Sequence, residues 1–129
     1  MSNNYAGLTL MKNGVRVNWS NVCFFRYRII GDLFQIEFQW KYKVSIRNEF
    51  VTLNKMSRQD LAKYFVKWGL VPFGESSFIN VNKILLIDED EVIRGPIDYT
   101  KLRLVFTDGF EYREKLKSEY WTWWRSNHS

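Results

Sequence analysis

Residues 33–46, LFQIEFQWKYKVSI, alternate apolar and polar side chains with a period of two. Phe34, Ile36, Phe38, Trp40, Tyr42, Val44 and Ile46 fall on one face, and Gln35, Glu37, Gln39, Lys41, Lys43 and Ser45 on the other. Only Leu33 is out of step. Because successive strand side chains point to opposite faces, the pattern predicts a half-buried antiparallel strand, or two joined by a bend.

Upstream of it, Val22–Ile30 (VCFFRYRII) reads as a second strand, and Gly31-Asp32 supplies hairpin turn chemistry between the two. Shorter strands are predicted at Leu8–Met11 and Val15–Trp19, around Lys12-Asn13-Gly14, and at Glu49–Leu53. A helix follows. Ser57 is a natural N-cap, Asp60 stands in the capping-box position, and Gly69 can close the C-terminus. Leu61, Phe65 and Trp68 repeat at helical spacing with Tyr64 beside them, a stripe that faces a core, while Lys63 and Lys67 project into solvent.

After a loop at 71–76 (VPFGES), residues 76–88 (SSFINVNKILLID) read as one strand carrying Asn80 and Asn82 on one face. Asparagine is depleted in strands, so the first half of this one is expected to leave the core, near a loop that meets a partner. An acidic turn is predicted at Asp88–Glu91, with Gly95-Pro96 beyond it. A strand at Lys101–Phe106, a turn at Thr107-Asp108-Gly109 and a strand start at Phe110–Tyr112 come next. The tail, 113–126 (REKLKSEYWTWWRS), reads as a helix with Leu116, Tyr120, Trp123 and Trp124 on one stripe and Trp121 off it. There is no repeat or linker. The expectation is one domain over 1–129, mainly β (α+β) and antiparallel, with one central helix and a short C-terminal aromatic helix at about 113–125.

An apolar fraction of 46% and an aromatic fraction of 18% rule out general disorder. The 23 aromatic residues are too many for a chain this small to hide easily, which places some at a contact surface. Net charge is +5, unevenly spread: residues 1–74 hold 11 Lys/Arg against 4 Asp/Glu, and 75–129 hold 8 against 10. A basic first half suits an anionic partner such as nucleic acid, or is simply a solvated sheet face.

The lone Cys23 sits in an apolar run and reads as a small buried hydrophobe, so a reducing, cytoplasmic setting is expected. The N-terminus lacks the pattern of a signal peptide, and no apolar stretch is long enough to span a membrane. One histidine, His128, and one cysteine exclude Cys/His zinc sites and argue against nucleophile–histidine catalysis. No phosphate-binding glycine loop is present, and the Asp88–Glu91 spacing fits no EF-hand. Neither an enzyme, nor a metal, nor a cofactor is expected.

From Val15 onward the order of elements resembles the LytTR-type DNA-binding domain of bacterial response regulators. The matching features are Val22-Cys23-Phe24-Phe25, the long β segment Leu33–Ile46, the helix Leu61–Trp68 and Pro72-Phe73. Phe78-Ile79-Asn80 with Ile84 and Ile87 forms the most specific spacing, followed by Leu102–Phe106 and Thr107-Asp108-Gly109. The resemblance covers roughly 15–118. It implies a structural role for Asn80, bonding backbone at the edge of the sheet, and DNA contact through loops at one end of a β fold.

Carried over by position, the resemblance puts contact loops near Asp32, near Glu75 and Ser76, and near Lys115 and Lys117. Asp32 and Glu75 stand where such domains often place neutral or positive side chains. A carboxylate accepts from cytosine N4 but repels phosphate. Ser76 and Ser77 can donate to phosphate oxygens. Arg26, Arg28, Lys41, Lys43 and Arg113 are candidate backbone contacts, with a solvated strand face as the competing reading. The segment Asp88–Thr100 is longer and more acidic than the family's usual connection, and the length leaves no room for a receiver domain.

The expected function is a transcriptional regulator that enters successive major grooves of double-stranded DNA, alone or as a homodimer, with no membrane involved. The alternative is a protein-interaction module on the same scaffold, presenting Trp121, Trp123 and Trp124 to a signalling partner. In that cluster's other reading, the C-terminal helix packs back onto the sheet.

Overall fold

The computed structural model describes residues 7–128. Ten strands and two α-helices are arranged in three antiparallel sheets, so the fold is mainly β with an α+β composition. The chain divides after Val81 into two compact units.

In the first unit, β1 (Thr9–Leu10) and β2 (Arg16–Val17) form a small hairpin, and a single 3-10 turn at Trp19–Asn21 follows. A five-stranded sheet is built from β3 (Phe24–Ile30), β4 (Leu33–Tyr42), β5 (Ser45–Asn54), β6 (Leu70–Pro72) and β7 (Ser77–Asn80), in the order β5-β4-β3-β7-β6. Gly31 takes a φ of +57° in the β3–β4 turn, a left-handed conformation that glycine reaches without steric cost.

The alternating stretch 33–46 is thus two strands joined by a two-residue turn at Lys43-Val44. Its predicted single face holds only in β4. Phe34, Ile36 and Phe38 are buried, whereas Val44 and Ile46 lie at and beyond the turn and are 95% and 58% exposed. The two-residue turn inverts the parity of β5 relative to β4, so Ile46 pairs with Lys41 on the outward face.

Helix α1 (Arg58–Val66) forms as its sequence signals: the Ser57 hydroxyl accepts from the Asp60 amide at 3.1 Å. Gly69 follows at a φ of +84°. Leu61 and Phe65 are buried, and Tyr64 and Trp68 pack partly against the core. Burial pushes the Tyr64 phenol up. Phe65 meets Trp19 edge-on at 4.9 Å and Phe25 at 4.8 Å, and Phe25 stacks on Phe78 at 4.9 Å. The helix therefore packs on the apolar face of β3 and β7 through aromatic contacts, with Phe65 also 5.4 Å from Phe78.

The 76–88 stretch splits at a turn over 81–83 into β7 and β8 (Ile84–Ile93). All four residues of β7 are buried, so this segment enters the core and does not leave it. Asn80 is fully buried, and its side-chain amide donates to the carbonyls of Ser20 and Val22, both at 3.0 Å. The backbone-bonding role implied by the resemblance is present, but in a strand flanked on both sides by β3 and β6 and not at a sheet edge. Part of the 71–76 loop is likewise strand, as β6.

The second unit carries the sheet β8-β9-β10, with β9 at Tyr99–Phe106, β10 at Glu111–Lys117 and helix α2 at Ser118–Asn127. Two expectations change here. Asp88–Glu91 is strand, not turn, because β9 and β10 offer cross-strand cations: Arg103 pairs with Asp88 at 3.3 Å, Lys101 with Glu91 at 3.0 Å, and Arg113 with Asp90. Residues 113–117 are strand, not helix, because β10 alternates buried Tyr112 and Leu116 with exposed charges in register with β9. The helix begins only at Ser118, whose hydroxyl lies 2.8 Å from that of Thr100.

Candidate nucleic-acid interface

Strand parity sorts the basic side chains of the first unit. In β3, Phe25 and Tyr27 turn toward the core and Arg26 and Arg28 turn away. In β4, Phe34, Ile36 and Phe38 turn inward, which leaves Gln35, Glu37, Gln39 and Lys41 on the outward side. The register aligns these into rows, Arg26–Glu37–Phe50 and Arg28–Gln35–Thr52 across β3, β4 and β5. Arg28 donates to Gln35 at 2.9 Å, and the Arg26 guanidinium lies 5.1 Å from the Phe24 ring.

Arg26, Arg28, Gln35, Glu37, Phe50 and Ser76 line one open groove with Tyr27. The loop before β7 is fixed beside it: the Tyr27 amide donates to the Ser76 carbonyl at 2.9 Å, and the Tyr27 hydroxyl to the Glu75 carbonyl at 3.0 Å. Asp32 lies in the turn that β3 runs into, and its carbonyl accepts from the Lys55 amide at 2.9 Å. The structure therefore gathers Arg26, Arg28, Asp32, Glu75 and Ser76 along one part of the first unit. Ser77, one residue further, is buried and unavailable to a phosphate.

Lys41 and Lys43 lie at the other end of β4. Lys41 is the ninth residue of that ten-residue strand and Lys43 lies just beyond it, which sets them roughly 30 Å or more from Asp32 at ~3.4 Å per residue. Here β4 and β5 outrun their neighbour. Strand β3 pairs with β4 only as far as Phe38, whereas β4 and β5 stay paired to Tyr42 and Ser45. Four rows, Gln39–Asn48 to Tyr42–Ser45, form a two-stranded ribbon that continues past β3. Every described side chain from Trp40 to Asn48 is exposed. The ribbon holds Lys41, Lys43 and Arg47 and no carboxylate.

The three candidates in the second unit sit in strand β10, not in a loop. Arg113 is engaged by Asp90 and, at 3.7 Å, by Glu111. Arg103 opposite it is held by Asp88 and Glu111, each at 3.3 Å, and hydrogen bonds to Glu111 and then Asp88 push its guanidinium still further up. Such a ladder neutralises a strand face. The Lys115 ammonium lies 4.8 Å from the Tyr99 ring, and Lys117 precedes α2.

Of the tryptophans offered as a protein contact, Trp121 and Trp124 are buried and stack on each other at 5.9 Å; Trp124 also stacks on His128 at 4.2 Å. Trp121 donates to Glu89, which Arg125 also engages at 2.9 Å. Only Trp123 is exposed, at 54%. The helix starts later than predicted, so the stripe is set by Trp121 and Trp124, three apart.

Gln35, Glu37, Phe50, Lys55 and Arg47 were not singled out from sequence. Phe50 was the findable one: it is an apolar residue at an outward position of a predicted strand. The others enter only through the three-strand register. Among the described residues no group of three or more His, Cys, Asp or Glu could hold a metal, and no helix is long and apolar enough to cross a membrane.

Compared with known proteins, the chain matches no family model, no curated protein and no solved structure.

Proposed function

We propose that the protein is a DNA-binding transcriptional regulator of LytTR type that holds double-stranded DNA against the outward sheet face of its first unit. One observation carries this reading: Arg26, Arg28 and Lys41 share that face by strand parity, and the basic ribbon extends it. Residues 1–81 hold 11 Lys/Arg against 5 Asp/Glu, while 82–129 hold 8 against 9. An anionic duplex is the partner that such an asymmetry suits.

The order of elements supports the family assignment, with Phe73 ahead of β7, Asn80 closing that strand and the Asp108-Gly109 turn between β9 and β10. The spacing supports the mode of binding. The Asp32 turn and the ribbon tip stand about one duplex turn apart along β4, so they can reach successive grooves on one side of a duplex. In this arrangement the cations position the backbone. In this reading the carboxylates of Asp32 and Glu75, being poor phosphate neighbours, accept from base edges such as cytosine N4.

The test is salt dependence. Anisotropy titrations of a fluorescent duplex, run between about 50 and 200 mM salt, should show log K falling steeply with log salt. Arg28→Ala and Lys41→Ala should each weaken binding on all sequences and flatten the slope by about one unit. A slope near zero for the unaltered chain would refute duplex binding.

A further inference from the structure

The tip of the β4–β5 ribbon combines features that phosphate contact does not explain. Val44 is 95% exposed and Ile46 is 58% exposed, yet both sit among Lys41, Lys43 and Arg47 on an arm without acidic residues. A two-residue hairpin turn in which only the first residue is at positive φ favours glycine at that position. Instead Lys43 takes a φ of +57°, the only non-glycine at positive φ among the described residues. A long side chain in that conformation is disfavoured, and such outliers concentrate where function maintains them.

We infer that Val44 and Ile46 form an apolar wedge that enters a groove of the bound duplex and unstacks a base step, while Lys41, Lys43 and Arg47 grip the flanking phosphates. The inference rests on the DNA-binding reading and deepens it. A two-stranded ribbon fits a nucleic-acid groove, and β-ribbons are used in both the major and the minor groove. Gln39 and Asn48, the amide side chains suited to reading adenine, stand at the ribbon's base, three rows from the last pair, and the outermost exposed apolar side chain is Val44. A branched aliphatic at the extremity serves better as an intercalating wedge, which kinks a duplex without reading hydrogen-bond patterns. The energetic logic is that unstacking is offset by the bend, which lets the duplex follow the arm onto the Arg26 and Arg28 face. The charge of the arm selects the partner: three cations and no carboxylate complement a polyanion.

The experiment uses the full chain and a duplex of mixed sequence with 2-aminopurine at alternate adenines, whose fluorescence rises on unstacking, in a buffer of about 50 mM salt. Binding is read by anisotropy and unstacking by fluorescence. With the unaltered chain both signals should rise. Val44→Ser should keep affinity within about threefold and lose most of the fluorescence gain. Because Val44 is exposed, its replacement leaves the fold intact, which a thermal melt verifies. Lys41→Ala with Lys43→Ala should instead lose affinity about tenfold or more. Binding without a fluorescence gain, or a gain that survives Val44→Ser, overturns the wedge and leaves DNA binding standing. No binding of duplex by the unaltered chain overturns both. If vesicles of phosphatidylserine capture the chain and Val44→Ser abolishes that capture without changing the DNA signals, the tip is a lipid-docking element and the wedge is overturned.

Discussion

Asn80 shows how much one side chain can organise. Its amide bridges the Ser20 and Val22 carbonyls while its backbone amide donates to Cys23 at 2.8 Å, so a residue 58 to 60 positions downstream fixes the entry of the chain into β3. Both carbonyls lose their side-chain donor in Asn80→Ala, at a cost of about 2–3 kcal/mol for buried groups left unpaired. A urea midpoint shifted to lower concentration at unchanged slope is the expected reading. Asn80→Asp should be worse, since a carboxylate would then face two carbonyl oxygens. If Asn80→Ala unfolds at the same midpoint as the unaltered chain, water replaces the amide and the bridge is dispensable. From sequence, the asparagine could be located but not interpreted. A polar residue in an apolar strand signals either an exit from the core or a satisfied partner within it, and only the long-range fold separates the two.

At the level of elements, what was legible is what local chemistry decides. The cap of α1 is set by Ser57 and Asp60, three residues apart, and the β3–β4 turn by a glycine. What was not legible depended on partners distant in the chain. Four consecutive acids read as a turn until Lys101, Arg103 and Arg113 are brought opposite them. The 113–117 stretch is rich in good helix formers, yet it pairs with β9, since tertiary packing overrides propensity. This ladder bears on the interface. Arg113 stands directly across from Arg103, an arrangement that is tolerable only because Asp88, Asp90 and Glu111 intervene. A cation so engaged has little to offer a phosphate. Arg113→Ala should therefore leave the salt slope of DNA binding unchanged within experimental error, in contrast to Arg28→Ala and Lys41→Ala. A fall of about one unit would instead assign Arg113 to the interface.

On the scale of the whole molecule, charge and core divide along the same boundary. The main hydrophobic cluster runs from Met11 to Phe78, drawn wholly from residues before the division at Val81. The excess of positive charge lies on that side as well, +6 against −1. A unit that owns both its core and the proposed contacts should function when separated, because neither cooperativity nor phosphate neutralisation requires residues beyond it. A fragment of residues 1–81 is accordingly expected to melt cooperatively and to bind duplex with a salt slope within about half a unit of the full chain's. The fragment 82–129, close to neutral, should not bind under the same conditions. Circular dichroism melts and the anisotropy titration together decide the matter. A fragment 1–81 that folds but loses the slope would move the phosphate contacts into the second unit, where Lys115 and Lys117 become the residues to alter next.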